Sequence, residues 1–405
     1  MRLIRTIILL YALTAILPLG AQQRFIPPMN EDDSTATVSL LTCAPGADVY
    51  SLEGHSGLRL HYGATDIVAN WGIFDFNAPN FIYRFVKGET DYSIGIIPTE
   101  YFLLQYNLEH RRVTEQTLNL TPGQIRKVIQ AVDINMYPEN RVYRYNYVLD
   151  NCATRPLQIV EQAIGDSVRL TRSVAELEDT PTFRNVMRHF HRNYPWYQLG
   201  IDICLGSGID GTITQRATMF APELLKELAA TAVIGGGPRK GQPFVSSTSV
   251  LVDFPPEGTV LGPTPRYLTP IAAFSLLLAV TILLTVYDRR RDTLSRWFDF
   301  LLFLAAGIAG CIVAFLVFIS THEATSPNWL LLWMNPLCLA VPALVFCGRC
   351  RKLLGIYHCY NIVAVAAFYV IAATGIQSVN PALLIIAACV LIRSINSLLY
   401  VPSKN

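Results

Sequence analysis

Long apolar runs dominate the second half of the chain. Five of them approach the ~20 residues that a helix needs to cross a bilayer. They cover residues 267–287, 297–319, 329–346, 356–374 and 382–401. The pattern therefore predicts an all-α membrane domain of five transmembrane helices over residues 267–401.

In the first half of the chain, apolar and polar residues alternate over short stretches and do not form long apolar runs. Alternating or β-branched apolar patterns predict strands over residues 38–43, 57–62, 67–71, 91–97 and 112–118. Thr121 followed by Pro122 predicts the start of a helix, and residues 157–164 again have helical spacing. Strands followed by helices indicate an α+β fold, in one domain over residues 22–232.

Two segments flank this domain. Residues 1–21 combine a basic start, an apolar stretch and the small residues Gly20-Ala21, which is typical of a cleaved signal peptide. An uncleaved anchor helix is the alternative. Residues 233–266 are rich in Gly, Pro, Ser and Thr, and this composition predicts a flexible linker.

The distribution of charge orients the chain in a membrane. Hydrophobic residues make up 52% of the sequence and charged residues 15%, which is too apolar for a wholly soluble protein. The loops at 288–296 and 348–352 are basic, whereas 320–328 and 375–381 contain no Lys or Arg. Because basic loops stay in the cytoplasm, the first domain is expected in the periplasm of a multi-pass inner-membrane protein.

Arg393, inside the last run, is expected to snorkel to the cytoplasmic surface. No basic patch with interleaved aromatic residues indicates nucleic-acid binding.

The candidate chemistry centres on Cys152 and His55. A thiol needs a base within hydrogen-bond reach to become a strong nucleophile at neutral pH, and a histidine can supply that base. Cys152 stands just before the helical pattern of residues 157–164, where the helix N-terminus is expected to lower its pKa. A buried packing cysteine is the alternative. A disulfide between Cys43 and Cys204 would leave Cys152 free.

The other histidines do not indicate a metal site. Arg188 and Arg192 flank His189 and His191, and two cationic neighbours oppose the binding of a cation. This run is expected to form a basic helix face that is solvated or faces the lipid headgroups. We therefore expect neither a metal nor a cofactor.

Several motifs of the first domain form a set with a recognisable order. They are Gly54-His55-Ser56-Gly57-Leu58-Arg59, Asn70-Trp71-Gly72-Ile73-Phe74-Asp75-Phe76 and Asp150-Asn151-Cys152-Ala153-Thr154-Arg155. This set resembles the Lnb periplasmic domain of the Lnb-type lipoprotein intramolecular transacylase family. The order of histidine, polar residue and Asn-Cys also resembles permuted papain-like folds, namely lecithin:retinol acyltransferase relatives and NlpC-type peptidases. The resemblance thus implies a papain-like thiol domain.

The resemblance also implies a reaction. A membrane-bound acyltransferase of this kind moves an acyl chain from the glyceryl group of a bacterial lipoprotein to the amine of its N-terminal cysteine. By this analogy Cys152 attacks the ester and holds the chain as a thioester, while His55 moves the protons. The expected partners are diacylglyceryl lipoproteins or phospholipids. The oligomeric state stays open.

Supporting roles follow from the same analogy. Asn70 is expected to orient the catalytic histidine, with His61 as the alternative. Asn151, with Asp150 beside it, or the backbone N–H of the cysteine is expected to stabilise the oxyanion.

Two other functions remain open on the sequence. One is a membrane-anchored cysteine peptidase or amidase that cuts cell-wall peptides, and the other is a non-enzymatic envelope scaffold. Five spans exceed what an anchored hydrolase needs, which favours a lipid substrate or a scaffold. His322 and Asn328, in an outer loop, are candidates to lie near a lipid substrate, with ordinary loop roles as the alternative.

Overall fold

A computed structural model describes residues 24–75, 77–171 and 181–400. The predicted signal peptide lies outside the described residues. The described part has an α+β domain followed by a helical membrane domain, as the sequence patterns predict.

A seven-stranded antiparallel sheet forms the centre of the first domain, in the order β6-β4-β3-β2-β1-β5-β9. The strands of this sheet are β1 (Thr37–Cys43), β2 (His55–Tyr62), β3 (Thr65–Ile73), β4 (Asp91–Pro98), β5 (Val113–Leu118), β6 (Val142–Arg144) and β9 (Val245–Val252). Strands β7 (Val168–Arg169) and β8 (Val233–Ile234) pair separately.

Apolar layers cover both faces of the central strands, because successive side chains of a strand point to opposite faces. The helices of this domain are α1 (Phe81–Lys87), α2 (Thr99–Leu108), α3 (Pro122–Asn135), α4 (Pro138–Arg141), α5 (Thr154–Ile164), α6 (Phe183–Phe190), α7 (Pro195–Cys204) and α8 (Pro222–Thr231). Leu58, Leu60 and Trp71 belong to the larger core, which includes the buried side of α5. Leu41 and Cys43 face the other way, toward Phe102 and Tyr106 of α2.

The prediction of a flexible linker over residues 233–266 is wrong for the central part of this segment. Residues 245–252 form β9, which pairs with β5 at the edge of the main sheet. Valine, serine and threonine fit a pleated edge strand, so a composition that indicated a linker also supports a strand. The first domain therefore extends at least to Val252.

Four helices of the described chain are long and apolar enough to cross a membrane. They are α9 (Pro270–Arg291), α10 (Arg296–Phe318), α12 (Arg351–Thr374) and α13 (Pro381–Leu399). The third predicted span is not a continuous helix. It consists of 3₁₀ turns at Trp329–Leu332 and Pro336–Leu339, followed by the short helix α11 (Ala340–Leu344). Pro336 and Pro342 lack the N–H groups that a regular helix needs, which explains the interruption.

The broken segment nevertheless runs along α10. A Cβ atom at Gly310 would lie 2.5 Å from the backbone of Asn335, so only glycine allows this close approach. The ring of Phe346 lies 4.8 Å from that of Trp297, at the first turn of α10. Irregular backbone at this depth is tolerated because it is covered by protein.

Arg393 does not snorkel, contrary to the expectation from its position. Its guanidinium is fully buried and forms ion pairs with Asp288 at 2.8 Å and with Asp299 at 2.5 Å. The two carboxylates come from the end of α9 and the start of α10. They therefore join three helices at the end of the membrane domain where the basic loop lies.

Polar contacts connect the two domains at several places, two of which involve the loops after α10 and α12. At the first, Ser320 and Thr321 donate hydrogen bonds to the carbonyl oxygens of Val86 and Lys87 at the end of α1 (2.8 and 2.9 Å).

The second connection joins α6 and α7 to the loop between α12 and α13. Arg188 donates to Ser378 at 2.6 Å, and Asn380 donates to Asp202 at 3.0 Å. Asp202 itself is buried and paired with Arg184, so this connection is anchored in the domain interior.

Candidate functional site

Cys152 lies in the turn that precedes α5, at one end of the main sheet. Its side chain is 9% exposed. The backbone N–H groups of Ser56 and of Cys152 itself lie close enough to the thiol to lower its pKa. Gly72, on the neighbouring strand, has a φ of +92° and comes so close that a Cβ atom there would lie 3.8 Å from Cβ of Cys152. Two strands and one helix start therefore enclose the thiol.

The pKa of the Cys152 thiol is raised, not lowered as expected from its place before a helix. Burial raises the pKa to about 11, and the charge of Glu53 acts in the same direction. The N–H groups of Ser56 and Cys152 lower it by less. Removal from water thus outweighs the helix N-terminus. At neutral pH the group is a thiol, and a base must take its proton during the reaction.

His55 and Asn70 form the pair that the sequence predicted. The Nε2 atom of His55 lies 2.5 Å from the Oδ1 atom of Asn70. A carboxamide oxygen can only accept a hydrogen bond, so Nε2 carries the proton and Nδ1 keeps a lone pair. Burial lowers the pKa of His55 to about 4, although the bond to Asn70 acts in the opposite direction. The ring is therefore neutral at pH 7 and suited to accept a proton.

The structure brings this pair to the same end of the sheet as Cys152. Ser56, whose N–H lowers the pKa of the thiol, directly follows His55. Gly72, which packs on Cys152, lies two residues after Asn70. Among the described residues, the hydrogen bonds include none between the thiol and the imidazole.

Asn151 and Asp150 have structural roles in this arrangement. Both N–H bonds of the Asn151 amide are used, because Nδ2 donates to the carbonyls of Tyr147 and Phe220 at 2.8 and 2.9 Å. Its Oδ1 atom accepts from the first backbone N–H groups of α5. The oxyanion role expected of the Asn151 amide is therefore not supported, and the N–H groups of Ser56 and Cys152 are better placed.

Asp150 holds the same turn from the outside. Its carboxylate forms two hydrogen bonds with Arg155, at 2.5 and 2.6 Å. The guanidinium of Arg155 in turn lies 3.5 Å from the centre of the Tyr143 ring. Asp150 thus fixes the start of α5 and does not reach the thiol.

A buried histidine that bonds Glu53 was not expected from the sequence. His191 is 1% exposed, so the predicted basic helix face, solvated or facing the headgroups, is wrong at this position. Its Nε2 atom lies 3.0 Å from Glu53 and its Nδ1 atom 2.8 Å from Gln198. Tyr147 also donates a hydrogen bond to Glu53. The spacing alone could have indicated that His191 is buried. His191 follows the apolar Met187 by four residues and therefore shares its helix face, which is buried.

The remaining candidates lie elsewhere. His61 is six residues from His55 along β2, about 20 Å away, and cannot orient it. His322 bonds the carbonyl of Phe85 at 2.8 Å, at the contact between the domains. Asn328 is buried, where it donates to Ile203 and accepts from Gln377.

None of the nine cysteines is in a disulfide, so Cys43 and Cys204 are both free thiols. Cys43 is buried under α2 and Cys204 is partly exposed at the end of α7. Within the described ranges, no three His, Cys, Asp or Glu side chains converge as metal ligands would.

Comparison with protein families agrees with this two-domain organisation. Residues 29–189 match the model of the Lnb N-terminal periplasmic domain, and residues 263–405 match the model of the Lnb transmembrane domain. Together the two matches cover about three quarters of the chain. No curated protein matches the chain significantly, and no solved structure does. The first domain is thus periplasmic, and the chain is a multi-pass protein of the inner membrane.

Proposed function

We propose that this chain, which belongs to the Lnb family, is a thiol acyltransferase that modifies bacterial lipoproteins. It moves an acyl chain from the glyceryl group of a lipoprotein to the amine of its N-terminal cysteine. The observation that carries the proposal is the position of Cys152, near the backbone N–H of Ser56 and at the same end of the sheet as the His55–Asn70 pair. A cysteine before a helix, packed on strands that carry histidine and a polar residue, is also the arrangement of a papain-like site.

In the first half-reaction the thiol sulfur attacks the carbonyl carbon of the ester. Nδ1 of His55 takes the thiol proton as the C–S bond forms. The oxyanion accepts hydrogen bonds from the N–H groups of Ser56 and Cys152. The C–O bond then breaks, and the glyceryl alkoxide takes the proton back from the imidazolium. The products are a thioester on Cys152 and a lipoprotein that has lost one chain.

In the second half-reaction the amine of the lipoprotein attacks the thioester. The histidine takes a proton from the attacking nitrogen and returns it to the departing sulfur. An amide bond replaces the thioester, and the free thiol is restored. Because the chain stays on the same molecule, the mass of the lipoprotein does not change.

The buried setting of the site suits acyl transfer better than hydrolysis. A neutral histidine and a protonated thiol are both stable without water, as the pKa directions indicate. Excluding water also protects the thioester until the amine arrives. A wall-directed hydrolase needs water at the same place.

Tandem mass spectrometry of a synthetic diacylglyceryl lipopeptide, in which the fragment ions locate each acyl chain, tests the proposal. The purified full-length protein in lipid should convert it to an N-acylated lyso-glyceryl product of equal mass. Cys204→Ala is the matched control and should behave like the parent, whereas Cys152→Ala should be inactive. Release of free fatty acid would indicate a hydrolase. A product heavier by one chain, labelled from isotopic phospholipid, would identify phospholipid as the donor and contradict intramolecular transfer.

A further inference from the structure

A groove of about 770 Å³ lies where α1 meets the transmembrane helix α10. Its walls are apolar: α1 contributes Phe81, Ile82, Tyr83 and Val86, and α10 contributes Ile312 and Phe315. The rings of Tyr83 and Phe315 are in contact, with their centres 6.0 Å apart. This volume falls within the ~300–1,000 Å³ of typical small-molecule sites.

The groove reaches into the depth of the outer leaflet. Helix α10 ends at Phe318, and the groove residue Cys311 lies seven positions earlier, about 10 Å deeper along the helix axis. Half of the hydrocarbon layer is about 15 Å thick. The floor of the groove therefore lies among lipid chains, while its rim lies at the level of the headgroups.

Helix α1 is held at this level although its side chains are unusually apolar for a periplasmic helix. Ile82 is 78% exposed and Tyr83 is 54% exposed. The end of α1 is fixed by hydrogen bonds from Ser320, Thr321 and the ring of His322. An exposed apolar helix beside a transmembrane helix is stable where lipid covers it.

A row of aromatic rings connects the groove with Cys152. The closest carbon of Tyr145 lies 3.8 Å from the Cβ position of Gly72, which packs on the cysteine. Tyr145 stacks on Tyr92 at 4.2 Å, and Tyr92 contacts Phe74 at 5.0 Å. Phe74 then stacks on the groove residue Phe81 at 5.7 Å. The row is a continuous series of ring contacts between the groove and the cysteine, and its middle member, Tyr92, is buried in the core of the first domain.

We propose that this groove binds an acyl chain of the diacylglyceryl lipoprotein while the ester of that chain extends along the aromatic row to Cys152. The inference rests on the proposed function and adds the binding site for the chain. The depth of the groove in the bilayer and its apolar walls fit a hydrocarbon chain, and the continuous row of rings leads its carboxyl end to the nucleophile.

A substitution that fills the groove tests the inference through chain length. Ala78→Trp places a large ring at the groove wall, and Leu276→Trp is the control on a lipid-exposed position of α9 outside the groove. The two substrates are lipopeptides with palmitoyl and with butanoyl chains. Ala78→Trp should lower the ratio of palmitoyl to butanoyl transfer about tenfold, and Leu276→Trp should not. An unchanged ratio in Ala78→Trp would contradict binding of the acyl chain in the groove. A parent enzyme that transfers neither chain would overturn the proposed function instead.

Photo-crosslinking tests the site independently of activity and of how well Ala78→Trp folds. A lipopeptide with a diazirine at the middle of one acyl chain is bound to the Cys152→Ala protein in lipid nanodiscs. Adducts are expected within residues 78–86 and 311–315, and excess unlabelled lipopeptide should remove them. Adducts confined to α9 or α12 would contradict the inference. So would adducts that phosphatidylethanolamine removes and unlabelled lipopeptide does not.

Discussion

The imidazole of His55 donates its Nε2 proton to the side-chain oxygen of Asn70 across a distance of 2.5 Å. This single bond fixes the tautomer of the histidine and leaves Nδ1 as its basic atom. The two residues lie on the adjacent strands β2 and β3, whose pairing places Asn70 opposite Gly57. A Cβ atom at Gly57 would lie 2.8 Å from Cγ1 of Val68, so the sheet is closely packed beside this pair.

Asn70 is expected to act as a positioning residue. Asn70→Ala should lower kcat about 10–100-fold with little change in KM, because the ring loses its fixed tautomer. Asn70→Asp should restore most of the rate, since a carboxylate also accepts the Nε2 proton. It should also raise the pKa of His55 and move the acidic limb of the pH profile to higher pH. Equal losses in both variants, with no shift of the limb, would indicate a purely structural role.

The pH dependence of Cys152 acylation should reflect burial. Protonated His55 cannot accept the thiol proton, and its pKa lies at about 4. The burst of p-nitrophenolate from p-nitrophenyl acetate should therefore rise with pH through about 4 and show no step near 6.5. A limb near 6.5 would contradict a buried neutral histidine.

The same group affects folding stability with a defined sign. Below about pH 6.5 the unfolded histidine binds a proton that the folded one does not. The free energy of unfolding should fall as the pH drops from about 6.5 to 4. His55→Gln should flatten this part of the curve in denaturant titrations at several pH values.

Cys152 and His55 should each be essential. Cys152→Ala and His55→Ala should abolish transfer without loss of membrane insertion. Cys152→Ser should lose about 10³-fold or more, because a hydroxyl is a far weaker nucleophile with this base. Cys43→Ala and Cys204→Ala should stay active, and the mass assay on the lipopeptide measures all five variants. An active Cys152→Ala protein would end the thiol mechanism.

Glu53 is expected to tune the nucleophile. Its charge raises the pKa of Cys152, so Glu53→Gln should lower that pKa. The rate of Cys152 alkylation by iodoacetamide should then increase at a lower pH than in the parent. Glu115→Gln is the matched control, because Glu115 is a partly buried carboxylate paired with Arg59 on the same sheet. A shift of equal size in Glu115→Gln would show that the effect is not local.

His191 gives the complementary variant. His191→Ala leaves the buried carboxylate of Glu53 without its imidazole partner. Leaving a buried hydrogen-bonding group without one of its partners costs about 1–3 kcal/mol, so the melting temperature should fall. An unchanged melting temperature would mean that the pair does not stabilise the fold.

The orientation of the chain can be tested with fusions. A reporter that is active only outside the cytoplasm should work after residue 265 and fail after residue 405. The broken segment at 329–344 matters for this result, since four crossings alone would return the C-terminus to the periplasm. Activity at both points would show that the segment does not cross.

Local patterns predicted much of the sheet. Strands β1 to β5 lie within a few residues of the predicted runs, because alternation of side chains is a property of the strand itself. β9 was missed because its edge position lets polar residues take most sites. The His55–Asn70 pair followed from adjacent strands, whereas Glu53 and His191 are 138 residues apart and meet only through the tertiary fold.

The polar connections between the domains have a geometric consequence. One joins α1 to the loop after α10, and another joins α6 and α7 to the loop after α12. Several separate attachment points oppose rocking of the first domain on a single hinge, so Cys152 is held at one height above the bilayer. Under the proposed function, this height selects the substrate. The Cys152 thiol would then meet esters at the level of the lipid headgroups, whatever the sequence of the protein that carries them. It would not meet substrates that lie farther from the membrane in the periplasm.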